Sequence, residues 1–396
     1  MVAALAVFLA LPAFSSAASD PLASGTTTVT LNKGFVKKLK KSGVKMLKLS
    51  PGAVKGRTVT LPVSGGSLDP TTGQGTVEHS GGIKFKAGKK SAPVNTLVLD
   101  TTTSSLTAKV AGKSMKLASV KGVTIARNGF GANVSIASLK LTGKAAKQLN
   151  KKLGFTGHKK GKGKAKGHKR APASKVVQPP FKGNQVLGAS TSETQPKTVA
   201  VLPGGKADLN TNEETVKKFE LAPPEGLGVK IEPVPPTEAA AGPSPFAPLL
   251  RFPIGGGTIA PDASSGIVQT AGGVKLVQNL GPSGTTTLTL ANIWVDLGAK
   301  TATVEVIVES TVSPELNLGN LSRSSIADLN LTGATIKSDP VARTVTVENA
   351  VATLQEVTAT TLNSVFGTPY DKAKIPHPAF AKGDGLGVFS FTAQTQ

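Results

Sequence analysis

The chain has no cysteine. That excludes structural disulfides, thiolate metal sites, a cysteine nucleophile and a lipid-modified N-terminal cysteine together. Aromatic residues amount to 4%, with one Trp and one Tyr, while Gly, Thr, Val and Ser are abundant, a balance that favours pleated sheet over helix bundles. Acidic residues are absent between Asp100 and Glu193. No apolar run beyond the N-terminal residues approaches the roughly 18 residues of a membrane span.

What is present begins with MVAALAVFLALPAFSSAASD, in which an apolar run from Val2 to Ala13 precedes the small-residue pattern Ser15-Ser16-Ala17. It lacks a basic n-region, yet it reads as an export signal over residues 1–18. The mature chain is therefore expected to be secreted or associated with the cell surface.

An internal repeat organises the rest. LPVSGGSLDPTTGQGTVEHSGGIKF (Leu61 to Phe85) aligns without a gap to FPIGGGTIAPDASSGIVQTAGGVKL (Phe252 to Leu276), with nine of twenty-five positions identical. Most identities are turn formers, Pro62 with Pro253 and Gly81-Gly82 with Gly272-Gly273 among them. The differences exchange one apolar residue for another, as two copies of one β-fold require. Further matches are Leu97-Val98-Leu99 with Leu288-Thr289-Leu290, KQLNKKLG ending at Gly154 with TTLNSVFG ending at Gly367, and FKGNQVLG from Phe181 with FAKGDGLG from Phe380. More loosely, LNKGFVKK at Leu31 matches LNTNEETVKK at Leu209.

Two units follow, residues 26–200 and 205–396. VNTLVLD, TATVEVIV and TVTVENAVATL alternate or run apolar between Gly, Asn, Asp and Ser clusters, which predicts antiparallel strands. Short helices are expected only at Phe35 to Lys41, Lys144 to Lys152 and Val357 to Val365. The expected fold is all-β: two tandem antiparallel β-sandwich-like domains with a few short helices. The proline-rich Lys230 to Pro248 reads as a long loop.

Charge is divided unequally between the copies. Residues 1–200 carry 33 Lys plus Arg against 5 Asp plus Glu, and 201–396 carry 13 against 18, so the net +23 separates into +28 and -5. The extreme is GHKKGKGKAKGHKR at 157–170, with Lys159, Lys160, Lys162, Lys164, Lys166, Lys169 and Arg170. Lysine on glycine neutralises phosphates or carboxylates without reading a sequence. This segment is the candidate polyanion contact, and for an exported protein the partners to expect are anionic polymers or surfaces of the cell envelope. The segment has no interleaved aromatics to stack on bases, which makes single-stranded nucleic acid the less favoured partner. A solvated loop that only aids solubility is the plain alternative.

Catalytic signatures are missing. Nothing in 157–170 has the spacing of a phosphate loop, and His158 and His168, ten residues apart, lack the spacing and carboxylate support of a metal site. There is no G-x-S-x-G context for a hydrolytic triad. His79 is expected to be exposed at a strand end, and its counterpart in the second copy is Thr270. No catalytic or metal-ligating residue is nominated, and the chain reads as a binding module rather than an enzyme.

The G-x-V-x-x-x-G-G-[IV]-K-[FL] strand pair, the L-x-L segment and the late short helix ending near a glycine together resemble the HtaA domain family of exported actinobacterial surface domains associated with haem. The resemblance implies a β-sandwich module that holds haem through a Tyr, with a His hydrogen-bonded to it. Where that pattern has an F-x-x-Y-like element, this chain has FVKKL (Phe35 to Leu39) and VKKF (Val216 to Phe219), without Tyr. The His after the G-G-x-K-F strand is missing as well. Only VFGTPYDKAKIPHP, with Tyr370 and His377, is similar to the late F-x-x-x-Y element. A phenolate and an imidazole could hold ferric haem; the plainer reading makes Tyr370 a half-buried loop aromatic. Three readings stand: an envelope or extracellular binding module whose first domain contacts polyanions, a haem-binding or haem-uptake protein with non-standard ligands, and a secreted nucleic-acid binder.

Overall fold

A computed structural model describes residues 19–155 and 178–396. The expected export signal and the lysine-rich segment 157–170 lie outside the described residues. The chain divides into two units, one formed by residues up to Arg127 with Ala132–Thr194, the other by Asn128–Gly131 with Gln195–Gln396.

In the first unit the order is β1 (Asp20–Leu31), α1 (Lys33–Lys41), β2 (Val44–Leu49), β3 (Ala53–Lys55), β4 (Thr58–Leu68), β5 (Gly75–Ala87), β6 (Lys90–Asp100), β7 (Ser105–Val110), β8 (Lys113–Asn128), β9 (Gly131–Leu141), α2 (Gly143–Leu153) and β10 (Val186–Pro196). Because β4 pairs with both β1 and β5, the sheet β1-β4-β5-β6-β7-β8-β9-β10 closes on itself, leaving β2 and β3 as outer additions. Closure removes the unpaired edges that an open sheet would expose.

The second unit repeats the plan. Its elements are β11 (Val199–Ala200), β12 (Lys206–Thr211), α3 (Glu213–Glu220), β13 (Val229–Val234), β14 (Glu238–Ala240), β15 (Leu249–Ile259), β16 (Gly266–Thr270), β17 (Gly273–Asn279), β18 (Thr285–Asp296), β19 (Thr301–Ser310), β20 (Gly319–Asn330), β21 (Thr335–Asp339), β22 (Thr344–Leu354), α4 (Glu356–Leu362), α5 (Thr368–Ala373) and β23 (Gly385–Gln394). Here β12, β15, β16, β18, β19, β20, β22 and β23 close the ring. The fold is all-β, as expected: two tandem antiparallel closed sheets with a few short helices.

Strand register confirms the repeat residue by residue. Val63 opposes His79, Gly66 opposes Val77 and Leu68 opposes Gly75, and the second unit has Ile254 with Thr270, Gly257 with Val268 and Ile259 with Gly266. The ladder slips at the same place in both, after Val63 and after Ile254. In the first unit one edge of β5 pairs with β4 up to His79 and with β2 from Gly82 onward. Changing partner there brings backbones too close for a side chain. A Cβ at Gly81 would lie 2.4 Å from the Gly52 nitrogen, and one at Gly82 would lie 2.1 Å from the Val94 carbonyl oxygen. At Gly272 and Gly273 the nearest atoms would be Thr237 Oγ1 at 2.3 Å and the Leu290 carbonyl oxygen at 2.1 Å. Gly81 and Gly272 also adopt positive φ, 79° and 82°.

Core side chains alternate as the sequence pattern predicts. On β19, Ala302, Val304, Val306 and Val308 face inward and their neighbours do not. Each buried valine of this kind contributes about 1.5–3 kcal/mol. The helices follow from their caps: Asn32, Thr142 and Asn212 each accept a hydrogen bond from a backbone amide of the first turn.

Three expectations need correction. The stretch Lys230 to Pro248 is not simply a loop: it supplies β13, paired only with β17, and β14, paired with β15. An edge strand tolerates Pro233 because its free side needs no N–H donor. A helix was not expected at α3, where Asn212 caps and Glu213 and Glu214 occupy the favourable first turn. The segment Leu97-Val98-Leu99 corresponds to Ile293-Trp294-Val295 rather than to Leu288–Leu290, since Glu78 opposes Val98 and its counterpart Gln269 opposes Trp294. The β17–β18 hairpin is longer, with Asn279 opposite Thr285, where the β5–β6 hairpin has Ala87 opposite Lys90.

One polar contact recurs in both copies. Asn150 Nδ2 donates to the Phe181 carbonyl at 2.8 Å while its Oδ1 accepts from the Phe181 amide at 3.3 Å. In the second unit Asn363 holds Phe380 in the same way, at 2.9 and 2.8 Å. Each Asn thus fixes the chain as it returns from the late helix to the last strand. Asn150→Ala and Asn363→Ala should each lower stability by about 1–3 kcal/mol, read from urea unfolding, because the substitution leaves a backbone pair without its partner. A loss below a few tenths of a kcal/mol would show that the clamp is dispensable.

Candidate functional site

Strand direction places Asp20, Asp69 and Asp100 of the first barrel at one end, where Arg127 bonds Thr71 beside Asp69. There Asp20 opposes Leu68 and Thr76 opposes Asp100. The Asp69 carboxylate accepts from the Thr71 and Thr72 amides, and Asp100 from the Thr103 amide, so both fasten turns there. At the other end, where α1 and α2 attach, Lys45 opposes Lys86, Ala87 opposes Lys90 and Val110 opposes Lys113.

The helices add to this cationic end. Exposed lysines on α1 are Lys33, Lys37, Lys40 and Lys41, and on α2 Lys144, Lys147, Lys151 and Lys152. The amphipathic pattern that buries Phe35, Val36 and Leu39 on α1, and Ala145, Ala146, Leu149 and Leu153 on α2, turns these ammonium groups outward. Burial, and then the neighbouring Lys182, hold Lys38 below its ordinary pKa. Repulsion between like charges of this kind is expected where cations gather without carboxylates.

The sequence-nominated residues Lys159, Lys160, Lys162, Lys164, Lys166, Lys169 and Arg170 lie outside the described residues, but both flanks of their segment are placed. Gly154, left-handed at φ 82°, ends α2 beside the Lys90 side chain. Phe181, buried against Phe35 and Phe85, is where the chain is held again. Both flanks belong to the cationic end. Sequence reasoning found the segment and missed the folded lysines around it, because the polarity of a barrel appears only once strands are paired.

In the second unit, Tyr370 lies on α5 rather than in a loop, and it is buried. Its hydroxyl donates to the Leu227 carbonyl at 3.0 Å, and burial pushes the phenol above its ordinary 10.0 despite a hydrogen bond with Gln278. The ring centroid of His377 is 5.9 Å away. His377 Nε2 meets Asp371 Oδ1 at 2.6 Å and Nδ1 meets the Pro378 carbonyl at 3.0 Å. Burial alone would lower the imidazole pKa, but the Asp371 carboxylate and the Pro378 carbonyl raise it. A haem iron needs a phenolate or a neutral imidazole with a free nitrogen. As placed, the pair offers neither, so the residues do not fit haem and no step is derived through it. Among the described residues no group of three or more His, Asp or Glu could hold a metal ion, and no helix is long and apolar enough to cross a membrane.

His79 corrects a further expectation: it is buried, with 6% exposure, instead of lying at an exposed strand end. Its Nε2 meets Thr27 Oγ1 at 2.6 Å and its Nδ1 meets the Leu97 carbonyl at 3.2 Å, while Thr27 also bonds Ser192. Thr270, its counterpart, is buried too and donates to the Ile293 carbonyl.

No family model and no curated protein matches the chain. Among solved structures, it is similar to the C-terminal domain of HtaA from Corynebacterium glutamicum, at 14% identity over 49% of this chain and 98% of that one, with a TM-score of 0.33. It is similar also to the N-terminal domain of the same protein, at 11% identity over 49% of this chain and 99% of that one, again with a TM-score of 0.33.

Burial holds the His79 pKa below the ordinary 6.5, against a smaller raising effect of the Leu97 carbonyl. Below pH 6.5 the unfolded chain therefore takes up a proton that the folded chain refuses, so His79 makes stability fall as the solution is acidified through and below that value. His79→Thr, which copies the second unit, should flatten the acid-side decline in unfolding free energy measured from pH 8 to pH 5. An unchanged slope would assign the decline to other groups.

Proposed function

We propose that this protein is a non-enzymatic binding module, exported to the cell envelope or beyond, whose first barrel holds polyanionic envelope polymer at its helix-bearing end. The observation that carries this reading is the gathering of exposed lysines at one end of the first barrel, away from its three aspartates. Asp20, Asp69 and Asp100 stand at one end, and the lysines of α1, α2 and the β5–β6 hairpin stand at the other. The 157–170 segment lies outside the described residues; its flanks Gly154 and Phe181 are at that end.

Such a surface attracts phosphate or carboxylate chains through summed potential and counterion release, and it presents no aromatic platform for stacking bases. Lys point charges on helices and hairpins make the contact tolerant of polymer sequence. An export signal over residues 1–18 would deliver the module to a compartment where such polymers occur.

Binding of the full chain to isolated cell-wall teichoic acid should weaken steeply between 50 and 200 mM salt. Changing Lys37, Lys41, Lys147 and Lys151 together to Gln should weaken it by roughly tenfold or more at low salt, whereas Lys275→Gln and Lys300→Gln in the second unit should leave it unchanged. Salt-insensitive binding, or binding indifferent to the four substitutions, would refute the assignment. Deleting 157–170 separates the contribution of that segment from that of the folded lysines.

A further inference from the structure

The second barrel encloses an apolar cavity. A cavity of about 170 Å³ lies under α3 and α4, walled by Leu250, Leu276, Leu288, Val306 and Leu354. No ionisable side chain lines it. The two copies differ there at two helical positions: Phe35 stands where the second unit has Thr215, and Leu39 where it has Phe219, whose ring packs on Phe366 and Phe380. Asn32 caps the amide of Phe35 and Asn212 caps the amide of Thr215, which makes these residues equivalent, three places after the cap. Phe35 is 2% exposed and meets the Phe181 ring. Thr215 lines the cavity and turns its hydroxyl away, to the Gly385 carbonyl.

The cavity has a mouth as well as walls. Strand β20 pairs with β22 only over Ala327–Asn330, and its ladder with β19 slips on both sides of Arg323–Ser325. The first half of β20 therefore faces α4 rather than a strand, joined by Thr358 Oγ1 donating to the Ile326 carbonyl. Leu321 and Val357, which line the cavity, are 41% and 61% exposed. Beside them Ser325 Oγ is buried without a hydrogen-bond partner, an arrangement that costs free energy unless something supplies one.

We infer that this cavity takes the hydrocarbon end of an aliphatic amphiphile, which enters between β20 and α4. Its volume is comparable with an engineered cavity of about 150 Å³ that stays dry and binds benzene, so about six carbon atoms fit. A macrocycle does not. The apolar lining excludes a charged head group from the interior. A hydroxyl or carbonyl oxygen of the ligand at the mouth meets Ser325, and its chain replaces the ring that the first barrel supplies from Phe35. This inference concerns the second unit alone and does not depend on polyanion binding by the first.

The test uses octan-1-ol, which is neutral and so blind to the cationic end of the first barrel, titrated into the full chain with methyl-labelled Leu and Val. Saturable shifts should appear at Leu288, Val306 and Leu354 methyls and not at the first-unit core residues Leu61 and Val134. Thr215→Phe, which restores the ring, should weaken binding by more than roughly tenfold while the thermal midpoint holds or rises. If that variant does not fold, Thr361→Phe at the half-buried rim takes its place under the same criterion. Absence of saturable shifts in the unaltered chain, or unchanged binding in a folded filled variant, overturns the inference.

Discussion

Both barrels depend on a close approach of backbones that only glycine permits. At Gly81-Gly82 in the first unit, one edge of a strand must leave β4 and take up β2. At Gly272-Gly273 the second unit makes the same exchange by dividing the strand into β16 and β17, which pair with β15 and β13. Added side chains would overlap neighbouring backbone or Thr237 at 2.1 to 2.4 Å. The ring closes through the β4–β5 pairing in the first unit and the β15–β16 pairing in the second, and the exchange lets the same edge go on to hold β2 and β13. Closure in turn fixes which end of the barrel each loop occupies, and so where α1 and α2, with their lysines, are carried.

The identities of the repeat were legible because they are backbone requirements. Glycines and prolines at bulges and turns cannot drift without breaking the ladder, and inward positions keep apolar volume. What stayed hidden depends on partners far away in the chain. His79 looks polar and terminal in TVEHSGG, yet it is buried by β4, by β6 and by Thr27 and Ser192, 52 residues before it and 113 after it. The L-x-L match was displaced for a related reason. A longer hairpin preserves the alternation of side chains while moving which residues are paired, so apolar pattern alone cannot register it.

Of the candidate sites, the basic one was legible in amount but not in arrangement. Composition reveals an excess of cations in the first half; pairing reveals that two of its five carboxylates, Asp69 and Asp100, hold turns at the far end. Tyr370 shows the opposite failure. The resemblance of VFGTPYDKAKIPHP to a late F-x-x-x-Y element suggested a ligand pair, whereas the fold uses the Tyr370 hydroxyl to satisfy the Leu227 carbonyl and its ring to fill a core. The residue type was informative about polarity, and the geometry decided its use.

The two copies have diverged in complementary directions on one backbone plan. In the first, Phe35 packs under the helix and the surface collects lysine; in the second, Thr215 stands at that position and several acidic residues form ion pairs with their own neighbours, as Asp208 does with Arg251 and Asp384 with Lys218. The surface of the first barrel is thus left free for long-range attraction, while charges on the second are spent locally and its interior holds the vacant volume. A barrel with an internal cavity lacks contacts along that wall, and the local ion pairs of the second unit accompany a core with less to spare.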